Sequence, residues 1–425
     1  MRMKLYQHQI DGLAAAKGMN HVAYFWDMGL GKTFAGSEKM MQLDARVNLV
    51  VCQKSKVQDW VDHFRQHYEH WCDHIFDLTN ASQLDVCMWE WSEGNTAIGI
   101  INYDLIWRRP ELLKLKDFTL LLDESSLIQN ESAKRSKFIL RMQPKNVILL
   151  SGTPTGGKYE RLWSQMHLLG WNISKQLYWK QFINVEYLDT VGRSIPIVTG
   201  YKNVDRLKRK MNQYGCQFLK TDEVFDLPDQ VFQKVRIPAS KEYRKFRKER
   251  IIDIEGETLV GDTTLTKMLY ERMLCSTYSA EKLNAFADLV ESTDDRLIVF
   301  YNFTEELNRM IECTMHTIRP ISIVNGSKKD YGSYENRSNS ITFVQYQAGA
   351  MGLNLQKANK MIFFSLPLSS ELYEQSKKRI HRIGQQRPCF YYQLICKGSI
   401  EEKILSTLEM RKDYTEELFR KDETN

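Results

Sequence analysis

Short apolar runs alternate with helix-patterned stretches along the whole chain. "VNLVVC" (47–52), "AIGIIN" (97–102), "FTLLLD" (118–123) and "NVILLSG" (146–152) are β-branched or Leu-rich and bounded by polar or glycine-containing turns. The texture returns as "RLIVFYN" (296–302), "ISIVNG" (321–326), "ITFVQYQ" (341–347) and "KMIFFSL" (360–366). Runs apolar at every position, rather than at alternate ones, suit strands buried on both faces. Parallel sheets with helices on either side create that setting. The pattern therefore predicts an α/β chain of two doubly wound units. Residues 171–235 read differently, rich in aromatic, amide and basic side chains, and are expected to form a helical insertion and connection. This divides the chain at 1–170, 171–235 and 236–425. "SKEYRKFRKERI" (240–251) reads as a helix capped by Ser240, and 399–421 as a last helix bracing the units from outside.

Composition narrows the class without changing that picture. At 425 residues the chain exceeds what one core organises. Its 8 cysteines form no CxxC pair, the usage of free thiols in a reducing compartment. The N-terminus has no apolar leader segment and no run approaches ~18 apolar residues, so neither a signal peptide nor a membrane span is expected. The expected location is cytoplasmic. Net charge is +6, from 59 Lys+Arg against 53 Asp+Glu, which permits a polyanionic partner but does not require one.

The candidate chemistry starts at "WDMGLGKT" (26–33). Glycines let backbone N–H groups approach phosphate oxygens, and a following helix N-terminus adds positive potential. Lys32 would neutralise terminal phosphates, and the Thr33 hydroxyl would hold Mg²⁺. Trp26 stands where the strict phosphate-loop pattern has its first glycine. "LLLDESS" (120–126) ends a buried strand in two carboxylates, with Asp123 placed for the metal and Glu124 for the attacking water. In "YEQSKKRIHRIGQQRP" (373–388), Arg379 and Arg382 are three apart and would share a helix face, a source of positive charge for phosphoryl transfer. "HFRQHYEHWCDH" (63–74) offers His63 and His67 at a zinc-compatible spacing, but Trp60, Phe64 and Trp71 assign it an ordinary packing role.

Taken together these motifs resemble a Swi/Snf-type member of the superfamily 2 helicases, from about residue 4 to 412 and with every motif in order. "YQHQIDGL" (6–13) is similar to the opening element, with Gln9 expected to read adenine. Met28, Gly29, Leu30, Gly31, Lys32 and Thr33 make the phosphate loop. "VVCQKSKVQDW" (50–60), "INYDLI" (101–106), "LLSGTPTGG" (149–157) and "FLKTDEVFDLP" (218–228) follow in the family's order. "AGAMGLNL" (348–355) and "QSKKRIHRIGQ" (375–385) match the second half, the latter close to a family signature. The resemblance implies two RecA-like lobes in tandem. It also implies ATP and Mg²⁺ as cofactors, Arg379 and Arg382 as arginine fingers, and Gly352 and Gln385 at the nucleotide. Four departures stand out. Gln53 replaces a proline, Ser125 and Ser126 replace Ala-His, the 327–340 segment is short enough to trim a helix, and Leu368 replaces a tryptophan.

The resemblance further implies a polynucleotide held by its phosphates, without base reading. Lys54, Ser55, Lys56, Tyr103, Gly152 and Thr153 are the candidates in the first unit. Asn302, Gly349, Gly352 and Asn354 are those in the second. The expectation is a monomeric ATP-driven translocase on duplex DNA, remodelling protein–DNA complexes or branched junctions. Its compactness suits a small bacterial or viral genome. A strand-separating DNA or RNA helicase is the first rival, although no wedge element is visible. A non-hydrolysing nucleic-acid-binding scaffold is the second, and it would not need Lys32, Asp123, Glu124, Arg379 and Arg382 together.

Overall fold

The first sheet is built from the apolar runs, and its strand order decides where chemistry can gather. In a computed structural model, which describes residues 4–72, 74–190, 193–349 and 353–419, it draws on β1 (His21–Trp26), β2 (Val47–Cys52), β3 (His74–Asp77), β4 (Ala97–Asn102), β5 (Thr119–Asp123) and β6 (Asn146–Leu150). A hairpin of β7 (Ile183–Thr190) and β8 (Arg193–Tyr201) stands apart from it, and β9 (Cys216–Leu219) completes it. The order is β3-β4-β2-β5-β6-β1-β9, every pairing parallel. β2, β4, β5 and β6 are buried nearly end to end, as runs without alternation require. Asp123 pairs with Leu150 and Leu150 with Tyr24, so β5, β6 and β1 end side by side on one edge. Loops leaving that edge converge.

The second sheet takes β10 (Gln230–Pro238), β13 (Leu297–Tyr301), β14 (Ile321–Val324), β15 (Ile341–Gln345), β16 (Lys360–Phe363) and β17 (Cys389–Lys397) in the order β10-β17-β16-β13-β15-β14, again all parallel. β11 (Ile251–Ile254) and β12 (Glu257–Val260) form a separate antiparallel hairpin. One core packs Phe300, Phe363 and Tyr391 with Leu405 and Leu408 of the helix Ile400–Phe419. The other packs Val299, Phe343 and Phe364 with Phe286 of the helix Ala280–Glu291. The short 327–340 segment holds only the five-residue helix Gly332–Asn336.

Residues 1–224 with 413–425 make one compact unit and 225–412 the other. The 171–235 segment is thus not a separate body. Up to residue 224 it belongs to the first unit, where β9 extends the sheet beside β1. Helix Lys241–Glu249 has the expected Ser240 cap, whose Oγ accepts from Tyr243 N at 3.0 Å. Among the described residues no helix is long and apolar enough to cross a membrane.

Candidate nucleotide site

β1 stops at Trp26 and the chain turns through Asp27–Gly31 into the helix Lys32–Leu43. Gly29 and Gly31 adopt φ of 88° and 68°, where an L side chain is strained. At Gly31 a Cβ would also lie 2.2 Å from Gln9 Nε2, so a larger residue would displace that amide. Asp27 anchors the turn by accepting from Thr221 N at 3.2 Å. Lys32 Nζ curls back over the loop, donating to the carbonyls of Trp26 (2.9 Å) and Asp27 (3.0 Å). Met28 and Gly29 form the bend of the turn, and Leu30 is buried beneath it. Trp26, in place of a glycine, is itself buried against Gly12, where a Cβ would come within 2.4 Å of its ring.

The acidic pair lies at the end of β5. Asp123 Oδ2 accepts from the Trp60 indole at 2.8 Å. Glu124 has φ 56°, a left-handed conformation that costs a non-glycine residue about 1–3 kcal/mol and is found mainly where function demands it. Its Oε1 accepts from Ser151 Oγ at 2.6 Å and Ser126 Oγ at 3.0 Å. Both carboxyls are pushed above their ordinary range, burial being the chief cause. For Asp123 the Trp60 hydrogen bond and Lys32 oppose the rise. For Glu124 the Ser151 hydrogen bond and Lys32 oppose it, and the charge of Asp123 adds to it.

β6 supplies the third side. A Cβ on Gly152 would sit 3.3 Å from Met28 Cγ and 3.6 Å from Lys32 Nζ, so the turn after β6 rests on the phosphate loop. Ser125 donates to Gln165 Oε1 at 2.8 Å, and Gln165 and Gln129 both donate to Pro154 O, at 2.7 and 3.0 Å. Ser125, through Gln165, thus ties the acidic strand end to the β6 turn. Lys32, Asp123 and Glu124 come together, and Gly152, expected at the polynucleotide, lies beside Lys32. Asp123 and the Thr33 hydroxyl are hard oxygen donors of the kind Mg²⁺ takes, and two buried carboxyls held above their usual range suit a divalent cation. The residues present fit the metal.

The remaining candidate residues occupy different settings. Gln9 reaches the loop, but its amide braces it: Oε1 accepts from Tyr6 N at 2.8 Å and Nε2 donates to Gly31 O at 3.0 Å. Tyr103 is buried with its hydroxyl donating to Asp123 O at 3.0 Å, so it supports the acidic turn instead of facing a polymer. Gly152 and Thr153 are buried as well. Lys54 and Ser55 are exposed, and Lys56 pairs with Asp59 at 2.6 Å. In the second unit Asn302 Nδ2 is used internally, donating to Ser365 Oγ (2.8 Å) and Leu366 O (3.1 Å). Gly349 ends the short helix Tyr346–Gly349, Asn354 is exposed, and Gly352 lies outside the described residues.

Arg379 and Arg382 do not share a helix, because the helix Ser370–Lys377 ends before them. They sit in the turn that follows. Arg379 is 6% exposed, and Arg382 Nη1 donates to Leu353 O at 3.3 Å, with burial lowering its guanidinium from the ordinary value. Gln385 staples the turn internally. Its Nε2 reaches the carbonyls of Ala358 (2.8 Å), Gln356 (3.2 Å) and Ile380 (3.2 Å), while Oε1 accepts from Gln386 N and Arg387 N. Tertiary placement alone reveals Trp60 and Ser151, since neither belongs to the carboxylate or glycine pattern.

A parallel-sheet unit with a Gly-Lys-Thr turn and an Asp-Glu strand end, followed by a second parallel-sheet unit, defines the tandem RecA-like class of nucleotide hydrolases. The chain belongs to the SNF2-related family: residues 15–284 match the SNF2-related domain and 281–384 the helicase conserved C-terminal domain. It is 21% identical over 455 residues to the SWI/SNF-related matrix-associated actin-dependent regulator of chromatin subfamily A member 1 of Mus musculus, covering 96% of this chain and 41% of that protein. It is 23% identical to the uncharacterized ATP-dependent helicase YqhH of Bacillus subtilis, covering 94% of this chain and 77% of that one. The Sulfolobus solfataricus SWI2/SNF2 ATPase core in complex with dsDNA aligns over 98% of this chain and 93% of that chain, with 20% identity and a TM-score of 0.47. The chain therefore spans about two-fifths of the length of its Mus musculus relative.

Proposed function

We propose that this chain is an ATP-driven motor that moves on duplex DNA without reading sequence and remodels protein–DNA complexes or branched junctions. The observation that carries the proposal is the meeting of Lys32, Asp123, Glu124 and the Ser151–Gly152 turn at the ends of three neighbouring strands. Lys32 takes the terminal phosphates in place of the carbonyls it now holds. Glu124, fixed by Ser151 and Ser126, orients the attacking water and receives its proton. Burial raises its affinity for that proton. Asp123 and Thr33 would hold Mg²⁺, which when bound neutralises charge on the phosphate oxygens. Gln9 moves from Gly31 to the adenine edge, and Arg379 and Arg382 supply positive charge to the transferring phosphoryl group. Lys54, Ser55 and Asn354 are the surface groups assigned to the DNA backbone.

The test is ATPase rate with no nucleic acid and with single-stranded DNA, duplex DNA, branched DNA or RNA. Duplex-dependent stimulation that disappears in Lys32→Ala is expected. Normal turnover in Lys32→Ala would overturn the assignment, and stimulation by RNA alone would move it to the strand-separating rival.

A further inference from the structure

Helix Lys175–Phe182 begins on a Ser174 cap and runs directly into β7. It buries Tyr178 and Phe182; Lys175 and the half-buried Trp179 border that buried side, and Lys180 is exposed away from it. β7 then changes the period from helical to two, so Ile183, Val185 and Tyr187 face the same space. With Lys202, just beyond β8, these side chains border a groove of about 660 Å³, within the range of small-ligand sites. Three lysines line it and no carboxylate does. Lys175 is held at the rim by Glu131 and lies 5.7 Å from the centre of the Trp179 ring. Tyr187 is 68% exposed, and Leu188, Ile195 and Ile197 of the same hairpin are exposed with it.

We propose that this groove binds an unpaired stretch of nucleic acid, its bases stacking on Trp179 and Tyr187 and its phosphates meeting Lys175, Lys180 and Lys202. Charge alone would also admit an acidic peptide. The pairing of two flat rings, one on the helix wall and one on the strand wall, favours bases, because every base presents a π face. The proposal deepens the motor reading and rests on it only for the class of polymer. It gives the first unit a hold on strands that branched or opened DNA would expose.

Binding of a labelled oligothymidylate of about 15 nucleotides and of a blunt duplex of similar length, followed by fluorescence anisotropy without ATP, tests it. Tyr187→Ala, at an exposed position, and Lys180→Gln/Lys202→Gln are compared at matched thermal unfolding midpoints. Single-strand affinity is expected to fall about ten-fold in each. The double variant is expected to lower the logarithmic salt slope for the single strand by about 1.4. Duplex affinity is expected to stay within about two-fold. Unchanged single-strand affinity in both variants overturns the proposal, as does equal loss for duplex and single strand. A polyglutamate peptide that competes as well as oligothymidylate also overturns it and makes the groove an acidic-peptide site. Failure of the motor reading registers separately, as turnover that survives Lys32→Ala, and leaves this binding result standing.

Discussion

The Trp60 indole donates to the expected metal ligand, holding Asp123 Oδ2 at 2.8 Å from a neighbouring helix. Groups that orient a metal ligand typically account for 10–100-fold in metal affinity or activity. Trp60→Phe keeps most of the packing and removes the donor, so the Mg²⁺ concentration for half-maximal ATPase is expected to rise about ten-fold. A titration of rate against Mg²⁺ reads this directly. His63 lies one turn further on. Its Nε2 is 3.0 Å from Ser37 Oγ, and Phe34 and Trp60 pack against its ring. Burial, with His67 adding, pushes it down to about 4 from 6.5. The unfolded chain therefore takes up that proton near pH 6.5 and the folded chain only near 4. Protonation favours unfolding between the two, so this contribution is complete above pH 6.5 and lost as pH falls toward 4. The upper bound is about 3 kcal/mol. Denaturant titrations at pH 7 and pH 4.5 are expected to show a smaller loss in His63→Asn than in the parent chain.

At the level of elements, a buried ion pair joins two helices of the second unit. Lys282 Nζ meets Glu401 Oε1 at 2.6 Å with both side chains almost wholly out of water, and Glu401 Oε2 also accepts from Cys396 N at 2.9 Å. Removing one partner leaves an uncompensated buried charge, so Lys282→Met is expected to cost about 3–5 kcal/mol. The companion Lys282→Met/Glu401→Gln is expected to regain part of it, as unfolding midpoints would show. Neither residue was singled out in the sequence, because the charges stand far apart along the chain. The same limit explains which strands were legible. β2 and β4 coincide with their apolar runs, since burial on both faces leaves no polar positions to confuse the reading. β10 was read as linker because it is an edge strand with most of its residues exposed. β9 is only four residues long and joins the sheet through a partner nearly two hundred positions away. The turn carrying Arg379 and Arg382 was read as helix because a three-residue spacing fits either form. Beyond Lys377 the turn buries Ile380 and is held by Gln385 Nε2 on Ile380 O at 3.2 Å.

For the whole molecule, the first unit carries the phosphate loop and acidic pair and the second carries the two arginines. If hydrolysis requires both units, Arg379→Ala and Arg382→Ala are expected to keep ATP binding while turnover falls about 10³-fold. Equilibrium binding of a fluorescent ATP analogue beside steady-state ATPase separates the two effects. Unchanged turnover in both variants would leave the arginines with a local structural role only.

The linear chain was enough to define two parallel α/β units and the phosphate loop with its acidic partner, because unbroken apolar runs and glycine-lysine turns are local properties. The family followed from motif order alone. Folding decided which polar groups point inward. Tyr103, Gly152, Thr153 and Gln385 turned out to be supports within their own units, and Trp60 and Ser151 emerged as neighbours of the carboxylates. It also set the β7–β8 hairpin beside a lysine-rich helix face. Hydrogen bonds and burial join residues remote in sequence, and no local pattern encodes which distant partner a side chain will meet.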